Sequence, residues 1–230
     1  MSKAFLHRAI VLIVVLATGL QTASAHAEPV PFKATYALAI DGWPDARIRH
    51  RLSRQGEVWQ SEMNAAIAVA EGDERSRFRL EGELIEAEAY ASGYRFLSFG
   101  ERYRLSADEL THLPDRQTAL FILSRQVDKA RCTHNQVAPC TLRFLNYKGE
   151  ETLLKYRVVD RDQARLPAGT FPRIVIDAWN PEKSDRHLIM GFHPEIPGLL
   201  LSLEYRREGE RKSRLVLSQL TLVEPGDQQP

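Results

Sequence analysis

The chain has 230 residues, with 31 Lys+Arg against 30 Asp+Glu and a formal net charge of +1. A balance so close to neutral excludes the strongly basic face that nucleic acid requires. No Ser/Gly/Pro-rich linker and no internal repeat divides the chain, so a single domain is expected.

At the amino end, Lys3 and Arg8 form a basic head, and residues 9–20 are uncharged and mostly aliphatic. Two overlapping A-x-A sites follow, Ala23-Ser24-Ala25 and Ala25-His26-Ala27. That order describes a secretory signal peptide over residues 1–27. The apolar run falls short of the about 20 residues a bilayer span needs. No cysteine stands near the cleavage sites, which argues against a lipid anchor. Removing residues 1–27 leaves a formal net charge of −1. The expected mature chain is periplasmic, folded over 28–224, with a disordered tail at 225–230 and no transmembrane segment.

From Phe32 onward the pattern has a period of two. Phe32, Ala34, Tyr36, Leu38 and Ile40 alternate with smaller or polar residues, as in a strand buried on one face. DGWPD reads as a turn. Ala46, Ile48, His50 and Leu52 then oppose Arg47, Arg49 and Arg51, and Trp59, Met63, Ala65, Ile67 and Val69 share a face of the next strand. EGDER reads as a turn back into SRFRLEGELIEAEAY, and YRFLSF and ERYRLSA continue a meander of hairpins with one wet and one dry face.

The period changes at residues 115–131. Asp115 after Pro114 is a candidate N-cap. Ala119, Leu120, Leu123 and Val127 recur at helical spacing, and Lys129 and Arg131 suit the negative end of the dipole. So apolar a helix should lie against the sheet. Next come Cys132 and Cys140, the two cysteines of the chain. A redox motif reads C-x-x-C, and a zinc site wants four ligands where only His134 accompanies the thiols. In an oxidising compartment the pair is expected to form a disulfide clip. Strands resume with CTLRFLNY and TLLKYRVVD, then FPRIVIDAW after an LPAGTFP loop, HLIMGFH, and a last hairpin. The sum is a mainly β fold: a strongly curved antiparallel half-barrel of about ten strands with one helix packed on it.

Motifs for serine hydrolysis, zinc peptidases, phosphate loops and dinucleotides are absent from the sequence. His50 reads as a core histidine with one hydrogen bond, and His187 and His193 as exposed or capping. Glu81, Glu83, Glu86 and Glu88 read as a solvated strand face, with Arg47, Arg49 and Arg51 as cross-strand partners; anionic lipid heads or lipopolysaccharide phosphates are the alternative use of those arginines.

The F-x-A-x-Y strand (Phe32, Ala34, Tyr36), the helix opened by Asp115, the Tyr156-x-Val158 strand and the loop carrying Leu166, Pro167, Gly169 and Phe171 resemble the DUF3108 family of exported bacterial domains of unknown function. Where that family carries a W-L-A-P-like segment, this chain reads LIMGFHPEIP. The resemblance implies a curved antiparallel sheet similar to the half-barrels of periplasmic lipoprotein carriers and lends no catalytic residue. The expected function is a periplasmic, non-enzymatic envelope protein without cofactor. It would hold an apolar ligand such as a lipid or acyl chain, or a partner peptide of an envelope protein, in a concavity lined by Tyr36, Trp59 and Phe78. The alternatives are an envelope hydrolase using Glu83 or Glu86 with His193, and a structural protein with a filled core.

Overall fold

The computed structural model describes residues 27–67 and 69–223. The expected tail, and the expected signal peptide apart from Ala27, lie outside the described residues.

Six strands come first: β1 (Phe32–Ile40), β2 (Ala46–Gln55), β3 (Val58–Ile67), β4 (Ala70–Glu81), β5 (Leu84–Phe96) and β6 (Phe99–Leu105). Helix α1 (Arg116–Gln126) follows. Then come β7 (Cys140–Leu145), β8 (Glu151–Leu166), β9 (Gly169–Trp179), β10 (Arg186–Phe192), β11 (Leu200–Arg207) and β12 (Glu210–Leu222). All twelve strands form one antiparallel sheet, ordered β6-β5-β4-β3-β2-β1-β12-β11-β10-β9-β8-β7. Apart from the pairing of β1 with β12, neighbours in the sheet are neighbours in sequence.

The sheet rolls until its two edges face each other. Tyr103 of β6 packs edge-on against Tyr147, just past β7, with ring centroids 4.9 Å apart. Tyr90, Leu105 and Leu110 form a small core with Leu145 and Tyr147. The segment between β6 and α1 is threaded along this seam: Leu145 donates its N–H to Pro114 O at 2.9 Å, and Asp115 makes an isolated bridge to Leu145. Edge strands β6 and β7 do not pair with each other, so the barrel stays unclosed.

The main core lies inside the roll. Phe32, Leu52, Trp59 and Phe78 from one half of the sheet meet Ile176, Phe192, Leu201 and Leu217 from the other. Between them sits α1, whose Phe121 packs on Phe78 with ring centroids 4.7 Å apart. A helix enclosed by a sheet has no wholly wet face, so Gln117, Thr118 and Ser124 are buried along with Phe121 and Leu123.

Several boundaries differ from the sequence expectation. The helix ends at Gln126, with Val127 as C-cap and Arg125 as the basic residue of its last turn; Lys129 and Arg131 lie beyond it. EGDER is strand, not turn: Glu71 and Asp73 in β4 sit beside Arg95 (3.0 Å) and Arg102 (3.5 Å) of β5 and β6, which neutralise the acidic run. The reversal into β4 comes before it, between Ile67 and Ala70, and the next one falls at Gly82, whose φ of +63° suits glycine. The Leu166–Phe171 loop shrinks to a tight turn at Pro167 and Ala168 between two long strands. Arg47, Arg49 and Arg51 do not pair with the Glu81–Glu88 cluster. On β2 they face Ala37, Thr35 and Lys33 on one side and Ala66, Asn64 and Glu62 on the other. Glu62 is held by Arg75 at 2.6 Å, and Glu88 by Arg79 at 2.7 Å.

Candidate functional site

The site is set by how α1 is fastened inside the roll. Asp115 is fully buried and caps the helix. Its Oδ1 accepts from the N–H groups of Gln117 and Thr118, both at 2.9 Å, and its Oδ2 from the hydroxyls of Ser76 and Thr118, both at 2.7 Å. Burial raises the Asp115 pKa, and these four bonds pull part of it back. One side chain thus closes the orphan donors of the first turn and ties the helix to β4. Gln117 donates to Ser61 Oγ at 3.0 Å, and Ser61 in turn bonds His50 Nε2 at 2.9 Å. At the other end, Gly198 donates its N–H to Ser124 Oγ at 2.7 Å. A Cβ on Gly198 would stand 2.9 Å from the Phe121 ring, so only glycine lets that loop lie so close.

So fastened, α1 fills one flank of the roll and leaves the other open. Tyr36, Trp59 and Phe78 stand on the inner face, but on the filled flank, at 1, 3 and 0 % exposure. Trp59 edges a polar cleft shared with Arg54, Arg79, Glu81 and Arg125; Tyr36 and Phe78 are covered by packed side chains.

The open flank is an apolar basin of about 410 Å³. Helix α1 gives it Ala119, Leu120 and Leu123. The opposing wall is Leu142 and Phe144 of β7, Leu154 of β8, Leu188 of β10 and Leu203 of β11. Met63 of β3 closes the side toward β4. Inward-facing leucines with no helix above them leave this volume because the sheet is too wide for α1 to fill.

One corner of the basin is polar. Arg116, the first residue of α1, grips Glu74 of β4 with two bonds, Nε to Oε1 at 2.6 Å and Nη2 to Oε2 at 2.8 Å. Tyr90 Oη donates to the same carboxylate at 2.9 Å, and the guanidinium lies 5.3 Å from the centre of the Tyr147 ring. Burial alone would lower the Arg116 pKa; the bond and charge of Glu74 outweigh it and raise it. The corner is a fixed, charge-balanced ion pair.

The residues proposed for hydrolysis are not brought together. His193 is buried, its Nδ1 accepting from the Glu195 N–H at 3.1 Å and its ring 6.1 Å from Phe171. Burial lowers its pKa against the pull of the Glu195 carboxylate. Glu86 is exposed opposite Arg79 in the β4–β5 ladder, and Glu83 lies at the exposed hairpin turn, 3.9 Å from Lys129. Nor is His187 exposed on its own: its Nδ1 is 2.7 Å from Asp177 and its ring stacks on Trp179. Among the described residues, no cluster of three His, Cys, Asp or Glu could hold a metal.

Cys132 and Cys140 are joined as a disulfide with Cα atoms 5.7 Å apart. The link fixes the start of β7, and therefore one wall of the basin, to a loop that is itself bonded to β8 through Val158 N–H and Cys132 O at 3.1 Å. In the reversal at 166–171, Gly169 has φ +137°, and a Cβ there would stand 3.4 Å from the Phe171 ring. These residues lie apart from the basin lining. No sequence signal singled out the basin leucines, which alternate like any core strand.

The class this architecture defines is an unclosed antiparallel roll with an internal helix. No family model and no curated protein matches the chain. Solved structures similar to it include a presumed lipoprotein of Parabacteroides distasonis (9 % identity, 85 % of this chain and 96 % of that one, TM-score 0.37). A Bacteroides fragilis protein of YmcC-like fold matches at 14 % identity over 86 % and 99 % of the two chains, with a TM-score of 0.36. The MucA/MucB complex of Pseudomonas aeruginosa matches at 11 % identity, TM-score 0.39; 90 % of this chain is covered but 57 % of that one. Likeness at this level carries no argument about function.

Proposed function

We propose that the chain is a periplasmic, non-enzymatic binding protein of the cell envelope that holds the acyl chain of a lipid in the basin beside α1. The observation that carries this reading is the basin itself. Its about 410 Å³ falls within the range of about 300–1,000 Å³ usual for small-ligand sites. Its walls are leucine, methionine and phenylalanine, and its polar groups are gathered at one corner. That division suits an amphipathic ligand, with the chain against Leu120, Leu188 and Leu203 and the head at Arg116. Arginine offers five N–H donors, and Glu74 takes two of them. The leader-like residues 1–27 and the disulfide support export to an oxidising compartment, and kinship with exported DUF3108 proteins belongs to the same reading.

The test is native mass spectrometry of the protein exported from a Gram-negative host and purified without detergent. The expected result is a one-to-one adduct extractable with organic solvent and identifiable as a lipid. Protein that always returns at its bare mass, even after incubation with fatty acid, would contradict the proposal.

A further inference from the structure

Because the sheet is a meander, the β1–β2, β3–β4 and β5–β6 turns all fall at the same end of the roll. That end is apolar. Trp43 is 49 % exposed, Phe96 42 %, Leu97 61 % and Phe99 76 %. The residues form one surface: the Trp43 and Phe96 rings lie 6.3 Å apart, and Leu97 donates its N–H to Val69 O at 2.9 Å, tying the second and third turns together. Leu97 has φ +55°, a left-handed conformation usually given to glycine or asparagine. The chain thus holds a leucine outward in a backbone where folding alone would prefer glycine.

From this we infer that the three turns are a membrane-docking tip that inserts into the interfacial layer of a zwitterionic lipid bilayer. The shape excludes a groove for a peptide, because the side chains protrude from adjacent turns. Trp and Phe on exposed turns are the residues that settle at a bilayer interface. The charges around the tip are of both signs: Arg95 is matched by Glu71, Arg102 by Asp73, and Lys212, beside the β1–β2 turn, by Glu210, which favours a neutral surface over an anionic one. The tip is also continuous with the binding basin. A cleft of about 350 Å³ begins at Tyr94, two residues from Phe96, and shares Met63, Glu74, Arg116 and Tyr147 with the basin. Docking on the tip would place the cleft mouth beside the lipid. The inference goes beyond the binding proposal and stands without a ligand in the basin.

Flotation with phosphatidylcholine vesicles at physiological ionic strength tests it. The exported protein is expected to float with the vesicles, and adding anionic phosphatidylglycerol should change this little. The variant L97G/F99S removes two anchors while relaxing the turn, so it should fold at least as well and bind at least about tenfold more weakly. Trp43→Ser provides a second reading at a separate turn, with the same direction expected. Wild-type protein that stays unbound, variants that float as well as wild type, or binding that needs anionic lipid and vanishes with salt would each overturn the inference. Vesicle binding by protein with no lipid adduct would leave the tip standing and remove the basin proposal.

Discussion

His50 shows how one side chain sets a property of the whole molecule. It lies on the inner face of β2, fully buried, between the Phe32 and Tyr36 rings, with Ser61 as its hydrogen-bond partner. Burial pushes its pKa down from 6.5 to about 4. In the unfolded chain the imidazole takes up its proton near pH 6.5; the folded protein refuses it until about pH 4. The stability that a neutral His50 contributes is therefore complete above pH 6.5 and is lost as pH falls toward 4. The loss is up to about 3 kcal/mol. His193, also pushed down by burial, adds to the same trend. Urea unfolding from pH 7 to 4 should show this fall, and His50→Gln, which cannot titrate, should flatten it. An equal slope in the variant would rule out His50 as the cause.

At the scale of elements, the disulfide has a calculable effect. Closing a loop of about nine residues should stabilise the fold by about 2.5 kcal/mol on the chain-entropy account. Guanidinium unfolding of the C132S/C140S variant should show a loss near that size. A double variant as stable as wild type would mean that the contacts of the loop with β8 already hold it in place. Much of this level was legible from the residues. The alternation in β1, β2 and β3 and the cap at Asp115 are local signals, and the structure has them where they were read. The start of β4 was not legible, because Glu71, Asp73 and Glu74 look like a turn until Arg95, Arg102 and Arg116 are placed beside them. Those partners are 24 to 42 residues away in sequence, beyond any local pattern. The apolar basin was hidden for a similar reason. Period-two alternation marks the inner face but not which half of it the helix covers. Tyr36, Trp59 and Phe78 were the aromatic lining read from the sequence, yet all three are buried in the core, Phe78 against Phe121 of α1, and the open wall is built of ordinary leucines.

At the scale of the whole molecule, strand number decides what the interior must contain. About eight strands make a barrel that side chains alone can fill, and wider rolls need a plug or keep a lumen. Twelve strands exceed that limit, and α1 is the plug. Its fastening through Asp115, Gln117 and Ser124 sets it toward Phe78 and Gly198, so the unfilled volume collects on the flank facing β7, β8, β10 and β11. The same rolling brings the polar corner at Arg116 to the basin and the three apolar turns to one end. The central claim is that this residual volume is a binding site and not a packing remnant. The most direct measurement is a fluorescence titration of the exported protein with cis-parinaric acid, a polyene fatty acid that brightens in apolar surroundings. The account predicts saturation at one equivalent, with Leu120→Glu or Leu203→Glu weakening binding by at least about tenfold in variants whose circular dichroism shows the native fold. Failure to saturate, or equal affinity in these correctly folded variants, would contradict it.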